Sequence, residues 1–256
     1  MHRRSVQLVL ALIITWLFAS CGGNSADGAP MIFAAASVSD VLTESAEIYE
    51  RETGKQVEFS FGGSIALANQ IAKLGAPADG VFLVGEKPKE ILKDIANPVP
   101  PGSIGMTNSL VVVAAKSAQH ITTLEELAES DQRLVIADPD LAPAGQFARE
   151  ALESAGVWER LADNLIFTSD VRAALAAVES GNATYGIVYR TDAFGSSAVS
   201  IISEIYDGYP PIVYVGRSLS GAENSAETIS FFEFLARSAE VKKVFESAGF
   251  TVGYAD

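Results

Sequence analysis

The sequence predicts an α/β protein in two lobes, and three observations lead there. Apolar runs of strand length alternate with amphipathic stretches of helical period through most of residues 31–250. Two of those runs end in tight, serine-bearing turns that open onto helices, at Ser37 and at Ser64. The strongly apolar run Leu110–Ala115 follows a break at Pro98, Pro100, Pro101 and Gly102, which fits a chain crossing into a second lobe.

The elements follow in order. Phe33–Ala36 reads as a buried strand, and Val38, Val41, Leu42, Ser45, Ile48 and Tyr49 recur at helical spacing as far as the stop at Gly54. Val57–Phe61 alternates as a strand. Gly62-Gly63-Ser64 then leads into a helix over 65–74, stopped by Gly75. Pro77–Val84 is a turn and a buried strand, and Pro88–Ala96 suits a short helix. In the second lobe Thr122 or Thr123 caps a helix, and Leu134–Asp138 is a strand. The loop Pro139–Gly145 feeds a helix carrying Phe147, Ala148, Ala151 and Leu152 on one face. Trp158–Leu161 is a short helical piece, Leu165–Thr168 a strand, and Ser169-Asp170 caps a helix over Val171–Glu179. Tyr185–Tyr189, Val199–Ile202 and Ile212–Val215 are strands, the last returning the chain to the first lobe. Ala222–Phe250 reads as two helices whose phenylalanines are core rather than a ligand cage.

The chain has 256 residues, 48% of them hydrophobic, enough for one large domain or two small lobes. Its formal net charge is −14. Loss of a leader ending at Ser20 removes Arg3 and Arg4 and no acid, so the charge becomes −16. Such a balance argues against nucleic acid as a partner, because phosphates require a basic face. The same field repels small anions at long range, so an anion site must work by short-range hydrogen bonds. Cys21 is the only cysteine, which excludes an intrachain disulfide, a zinc cluster or a catalytic thiol in the folded body. The histidines are His2, in the leader, and His120, in a polar stretch where a surface position is expected.

Residues 1–20 read as a signal peptide: basic Arg3 and Arg4, an apolar core from Val6 to Phe18, then small residues. Leu17-Phe18-Ala19-Ser20-Cys21 resembles a bacterial lipoprotein signal, which implies lipidation of Cys21 and export to the membrane's outer side. An ordinary secretory peptide with an incidental cysteine is the other reading. Residues 21–30, small and polar, read as a flexible tether.

The strand-to-helix turns carry the chemistry. A helix start offers unpaired N–H groups and the positive pole of the helix dipole, a place to hold an anion. Ser37 alone is equally a plain helix cap. A matching turn at Ser64 and two more ahead of the helices at Ala144 and Val171 make a constellation of what was one cap.

Several segments, in order, resemble the molybdate-binding proteins that serve ABC importers. They are Phe33–Ser37, Ser60–Ser64, Leu67–Ile71, Gly75–Asp79, Asn108–Val113, Pro143–Gly145, Asp170–Leu175 and Gly186–Tyr189. The resemblance implies a periplasmic-binding-protein fold of the second type. Each lobe would be a mixed, mainly parallel sheet flanked by helices, with the oxyanion in the interlobe cleft. Residues 31–108 with 215–256 would form one lobe and 109–214 the other. By motif position it implies an oxyanion held by the hydroxyls and N–H groups of Ser37 and Ser64, the N–H groups of Ala144 and Val171, and the Tyr189 hydroxyl. It implies no catalysis, no cofactor and no directly bound metal cation. The partners would be molybdate or tungstate, an ABC permease with its ATPase, and the membrane through lipidated Cys21; the chain would be a monomer. Arg172 adjoins the set, either as a helper or as a solvated helix residue. Gly80 is inserted relative to the family pattern, Val84–Lys87 replaces polar residues, and Gly62-Gly63 replaces more hydroxylated or small ones.

The donor-only set has a physical logic. Several charge-assisted hydrogen bonds, each returning ~1.5–3 kcal/mol, can offset the desolvation of a dianion without a lysine or arginine. Two further readings stay open: a receptor for sulfate or thiosulfate, and, from another class, a serine hydrolase, although neither serine lies in Gly-x-Ser-x-Gly.

Overall fold

The computed structural model describes residues 28–98, 104–116, 118 and 121–254. The leader, Cys21, most of the tether and His120 lie outside them. Two mixed sheets, each flanked by helices, make up the molecule.

The first sheet has the order β11-β4-β10-β3-β1-β2. Its strands are β1 (Met31–Ala35), β2 (Glu58–Gly62), β3 (Gly80–Val84), β4 (Ile104–Asn108), β10 (Ile212–Ser218) and β11 (Thr251–Tyr254). β1 pairs in parallel on both sides and is covered on both faces, which explains its unbroken apolar run. The second sheet has the order β7-β6-β8-β5-β9. It is built from β5 (Leu110–Ala115), β6 (Leu134–Ala137), β7 (Leu165–Thr168), β8 (Tyr185–Tyr189) and β9 (Val199–Ile205). The chain changes sheets between Asn108 and Leu110 and returns between Ile205 and Ile212.

The expectation of mainly parallel sheets is corrected. β1 with β2 and β3, and β6 with β7 and β8, are parallel; β10 with β3 and β4, β11 with β4, and β5 with β8 and β9 are antiparallel. The strands that carry the chain between sheets run against their neighbours. β4 and β11 were not read from the sequence, because Gly105 and Gly253 interrupt short runs whose pairing only the tertiary fold supplies.

Helix α1 (Ser39–Thr53) buries Val41, Leu42, Ser45, Ile48 and Tyr49 and ends at Gly54, where φ is 72°. A 3₁₀ turn over Ala36–Val38 precedes it. Helix α2 (Ser64–Leu74) ends at Gly75 with φ 66°. The short α3 (Glu86–Ile91) is followed in the second lobe by α4 (Leu124–Glu129), capped by Thr123, whose hydroxyl accepts from Glu126 N–H. There too are α5 (Pro143–Ser154), α6 (Trp158–Leu161), α7 (Val171–Glu179), capped by the Asp170 carboxylate on Ala173 N–H, and α8 (Arg190–Phe194). The C-terminal helices α9 (Ser225–Arg237) and α10 (Ala239–Ser247) bury Phe231, Phe232 and Phe245.

Gly80 has a packing reason. A Cβ there would sit 2.4 Å from the Thr228 Cγ2 on α9, so glycine lets that helix lie close against β3.

Candidate functional site

Four helix starts converge on one cavity. It is lined by Ser37 of the 3₁₀ turn, Gly63 and Ser64 at the start of α2, Pro143 and Ala144 at the start of α5, and Asp170 and Val171 at the start of α7. Tyr189, the last residue of β8, completes it. The cavity is small, about 10 Å³, roughly one water-sized sphere. All five residues singled out from the sequence line it. A larger cavity of about 240 Å³, lined mainly by apolar residues such as Val81, Leu83 and Val215, holds none of them.

Each helix leaves its first N–H groups without an intrahelical acceptor. Neither α2 nor α5 has a side-chain cap to take them up. At α5 the helix's own bonding begins with Gly145 N–H on Ala142 O, after Pro143 at the first position and Ala144. At α7 the Asp170 carboxylate takes Ala173 N–H, leaving Val171 toward the cavity. The result is a set of donors with no lysine or arginine among the lining residues.

Three hydroxyls join these N–H groups. Ser37 Oγ is 2.9 Å from Tyr214 Oη, and Ser64 Oγ accepts from Val84 N–H at 3.3 Å. Tyr189 Oη is fully buried and has no hydrogen-bond partner. Burial, then the proximity of Tyr214 and Asp192, raises the Tyr189 pKa well above that of an ordinary phenol, so its proton stays on. A buried hydroxyl without a partner is costly by ~1–3 kcal/mol, a deficit that a bound acceptor would remove.

The layers around the two sheets meet directly at the cavity's edge. Ala66 N–H at the start of α2 donates to Leu141 O of the second lobe at 2.9 Å. Gly63 faces the same stretch: a Cβ there would lie 2.5 Å from Leu141 O and 2.8 Å from Ser169 O. Gly85 stands similarly against Pro143: a Cβ on it would lie 3.0 Å from the Pro143 Cβ.

Arg172 does not line the cavity, and its side chain is about one-third exposed, at 33%. Its guanidinium is 3.0 Å from Asp40 Oδ2 at the start of α1 and 2.7 Å from Asp192 Oδ1 on α8. The Arg172 Nε–H does not point along the second contact, which makes it an ion pair rather than a formed hydrogen bond. Asp192 is fully buried, and burial lifts its pKa to about 7 against the opposing pull of Arg172. An acid raised in this way binds its proton more tightly in the folded chain than in the unfolded one, where the value is about 3.9. Stability from this group therefore grows as pH falls from about 7 toward 4 and is absent above 7. The thermal midpoint of the ligand-free chain is expected to rise between pH 8 and 5.5, and Asp192→Asn to flatten that rise. A midpoint that falls over this range in the wild type would contradict the assignment.

The sequence reading missed Tyr214, Asn108 and Asp192. The Asn108 amide donates to Thr191 Oγ1 at 2.8 Å and to Tyr214 Oη at 3.3 Å, which ties the strand β4 to β10 and to α8. A buried-strand tyrosine in the returning run Ile212–Val215 was the one available signal for Tyr214.

Two α/β lobes meeting over a small donor-lined cavity define the class of two-lobed binding proteins. The chain belongs to the family described as bacterial extracellular solute-binding proteins, whose model matches residues 31–251. It is 34% identical to YvgL of Bacillus subtilis, provisionally named an ABC transporter substrate-binding lipoprotein, across 98% of this chain and 99% of that one. It is also 34% identical to the molybdate-binding protein ModA of Escherichia coli, across 92% of this chain and 94% of that one. Among solved structures, the periplasmic molybdate-binding protein of Azotobacter vinelandii superposes with a TM-score of 0.74 at 21% identity, covering 88% of this chain and 99% of that chain, a likeness of fold.

Proposed function

We propose that this protein is an exported, lipid-anchored receptor that captures molybdate, and with it tungstate, and delivers the ion to an ABC permease. Ser37, Ser64, Ala144, Val171 and Tyr189 are the proposed ligands. The partnerless Tyr189 hydroxyl, buried in a cavity ringed by helix starts and free of cations, carries the reading. The similarity to ModA supports molybdate as the ion, and the similarity to YvgL supports the anchor at Cys21. We place the first lobe at 31–108 with the chain from β10 onward, since a division at 214/215 would cut that strand. The two serine hydroxyls are engaged by Tyr214 and by Val84 N–H rather than by a general base, which disfavours the hydrolase reading.

The test is a panel of molybdate, tungstate, sulfate, thiosulfate and phosphate in a thermal-shift assay, since a ligand that binds only the folded chain raises its midpoint. Molybdate and tungstate are expected to raise it. Tyr189→Phe is expected to weaken molybdate binding by ~1–3 kcal/mol in calorimetry, through loss of one donor to a buried charge. A response to sulfate alone would overturn the choice of ion, and an unchanged affinity in Tyr189→Phe would remove that residue from the site.

A further inference from the structure

Two stretches of chain cross between the sheets, Asn108–Leu110 and Ile205–Ile212, and one side chain holds both. Tyr209 Oη accepts a hydrogen bond from Leu110 N–H at 3.1 Å and donates its own proton to Ile205 O at 2.7 Å. Leu110 is the first residue of β5 and Ile205 the last of β9, and the two are register partners. The stretch that carries this hydroxyl also lies on α5. The Tyr209 ring is 6.2 Å from that of Phe147, and a Cβ on Gly208 would stand 2.9 Å from Ser154 Cβ and 3.2 Å from Ala151 Cα. α5 begins with Pro143 and Ala144 in the cavity. Phe147 also approaches the first lobe, its Cζ 3.6 Å from where a Gly85 Cβ would be. Gly85 N–H donates to Val213 O at 3.3 Å, and Pro210-Pro211-Ile212 lead from there back to Tyr209. Contacts thus run in a closed circuit around the second crossover. Pinned at Tyr209, the two crossovers are left to bend outside the pin, at Asn108-Ser109 and over Pro210–Ile212, where the two prolines have fixed φ.

We propose that Tyr209 is a positioning residue for capture, holding both crossovers in one geometry so that closing brings Ala144 N–H onto the oxyanion. The inference rests on the oxyanion-receptor reading above. In the shut form, contacts across the cleft such as Ala66 N–H on Leu141 O also restrain the crossovers. An open form lacks those contacts and keeps the pin. Loss of the pin therefore widens the open ensemble more than the shut one, and shutting then costs more entropy.

The experiment measures the molybdate dissociation constant by calorimetry and the release rate by chasing labelled molybdate with excess unlabelled ion. Tyr209→Phe keeps the ring and removes both hydrogen bonds. It is expected to speed release about tenfold and to weaken affinity by the same factor, with association unchanged. Phe147→Leu, which breaks the ring's link to α5, is expected to act in the same direction. Ser238→Ala is the comparison: it removes the cap on Val241 N–H at α10, outside the circuit, and lowers the thermal midpoint through stability alone. Its release rate is expected to match the wild type. Wild-type release in Tyr209→Phe, or release that quickens equally in Ser238→Ala, would overturn the proposal by reducing Tyr209 to general stability. Should Tyr209→Phe fail to fold, Phe147→Leu decides. A wild type that binds none of the oxyanion panel would sink the receptor reading itself, whereas a binding wild type whose variants release at its own rate would sink only this inference.

Discussion

Gly63→Val is expected to weaken oxyanion capture by about 10–100-fold while the ligand-free chain stays folded. Gly63 sits in ordinary extended backbone, with φ −64° and ψ 126°, which any residue adopts. Glycine is needed there because two carbonyls of the opposite lobe approach to 2.5 and 2.8 Å of where a Cβ would stand. Those carbonyls, of Leu141 and Ser169, are backbone atoms and cannot swing aside as a flexible side chain would. The added volume therefore acts between lobes rather than within one, and the lobes must part to admit it. Parting them also lengthens the Ala66 N–H to Leu141 O bond beside the cavity. Valine at this helix-capping position costs about 1 kcal/mol at most relative to glycine. Calorimetry with molybdate and a ligand-free thermal scan separate the two effects. Unchanged affinity would show that the lobes do not approach as closely in solution.

Asp79→Ala is expected to destabilise the fold by ~3–5 kcal/mol, since its carboxylate accepts three charge-assisted hydrogen bonds that water replaces only in part in the variant. They come from Met31 N–H at 2.9 Å, Asn224 N–H at 2.9 Å and the Asn224 amide at 3.1 Å. Asp79 thereby ties the first residue of β1, the entry to β3 and the start of α9 at one point. Asp79 N–H and O add bonds to Met31 O and Leu219 N–H. Burial alone would raise this acid's pKa, but the bonds from Met31 and Asn224 outweigh it and hold the pKa below the usual carboxylate value. The stability it contributes is fully present above about pH 4 and is lost as pH falls through the depressed folded value. Denaturant unfolding at pH 7 measures the loss, and a change below 1 kcal/mol would mean that water replaces these contacts at little cost.

The alternation of strands and helices, the turns at Ser37 and Ser64 and the capping pair Ser169-Asp170 were legible because each depends on neighbours in sequence. Periodicity shows the buried face of α1, and Gly54 and Gly75 mark stops that need left-handed backbone. The grouping of Ser37, Ser64, Ala144, Val171 and Tyr189 came from the family resemblance, not from spacing, and the fold brings all five to one cavity. What could not be read depends on partners far along the chain. Arg172 looked like a helix-surface cation beside the site. Its fate is set by Asp40, more than a hundred residues earlier, and by Asp192 on another helix. Tyr214 and Asn108 likewise acquire meaning only when the returning strand β10 lies beside β4. Gly80 and Gly63 looked like departures from a pattern; each marks a close approach by a helix or backbone from elsewhere.

The bond from Ala66 to Leu141 and the pairing of Arg172 with Asp40 link the lobes through the chain's own groups. Every such clasp lowers the free energy of the shut form equally for the empty and the loaded molecule, and so adds nothing to the difference that reports cargo. On the proposed function, an empty chain that shuts readily would occupy the permease while bringing nothing. On that reading the strength of these two clasps sets a compromise between tight capture and idle docking, and weakening Arg172–Asp40 would lower both together.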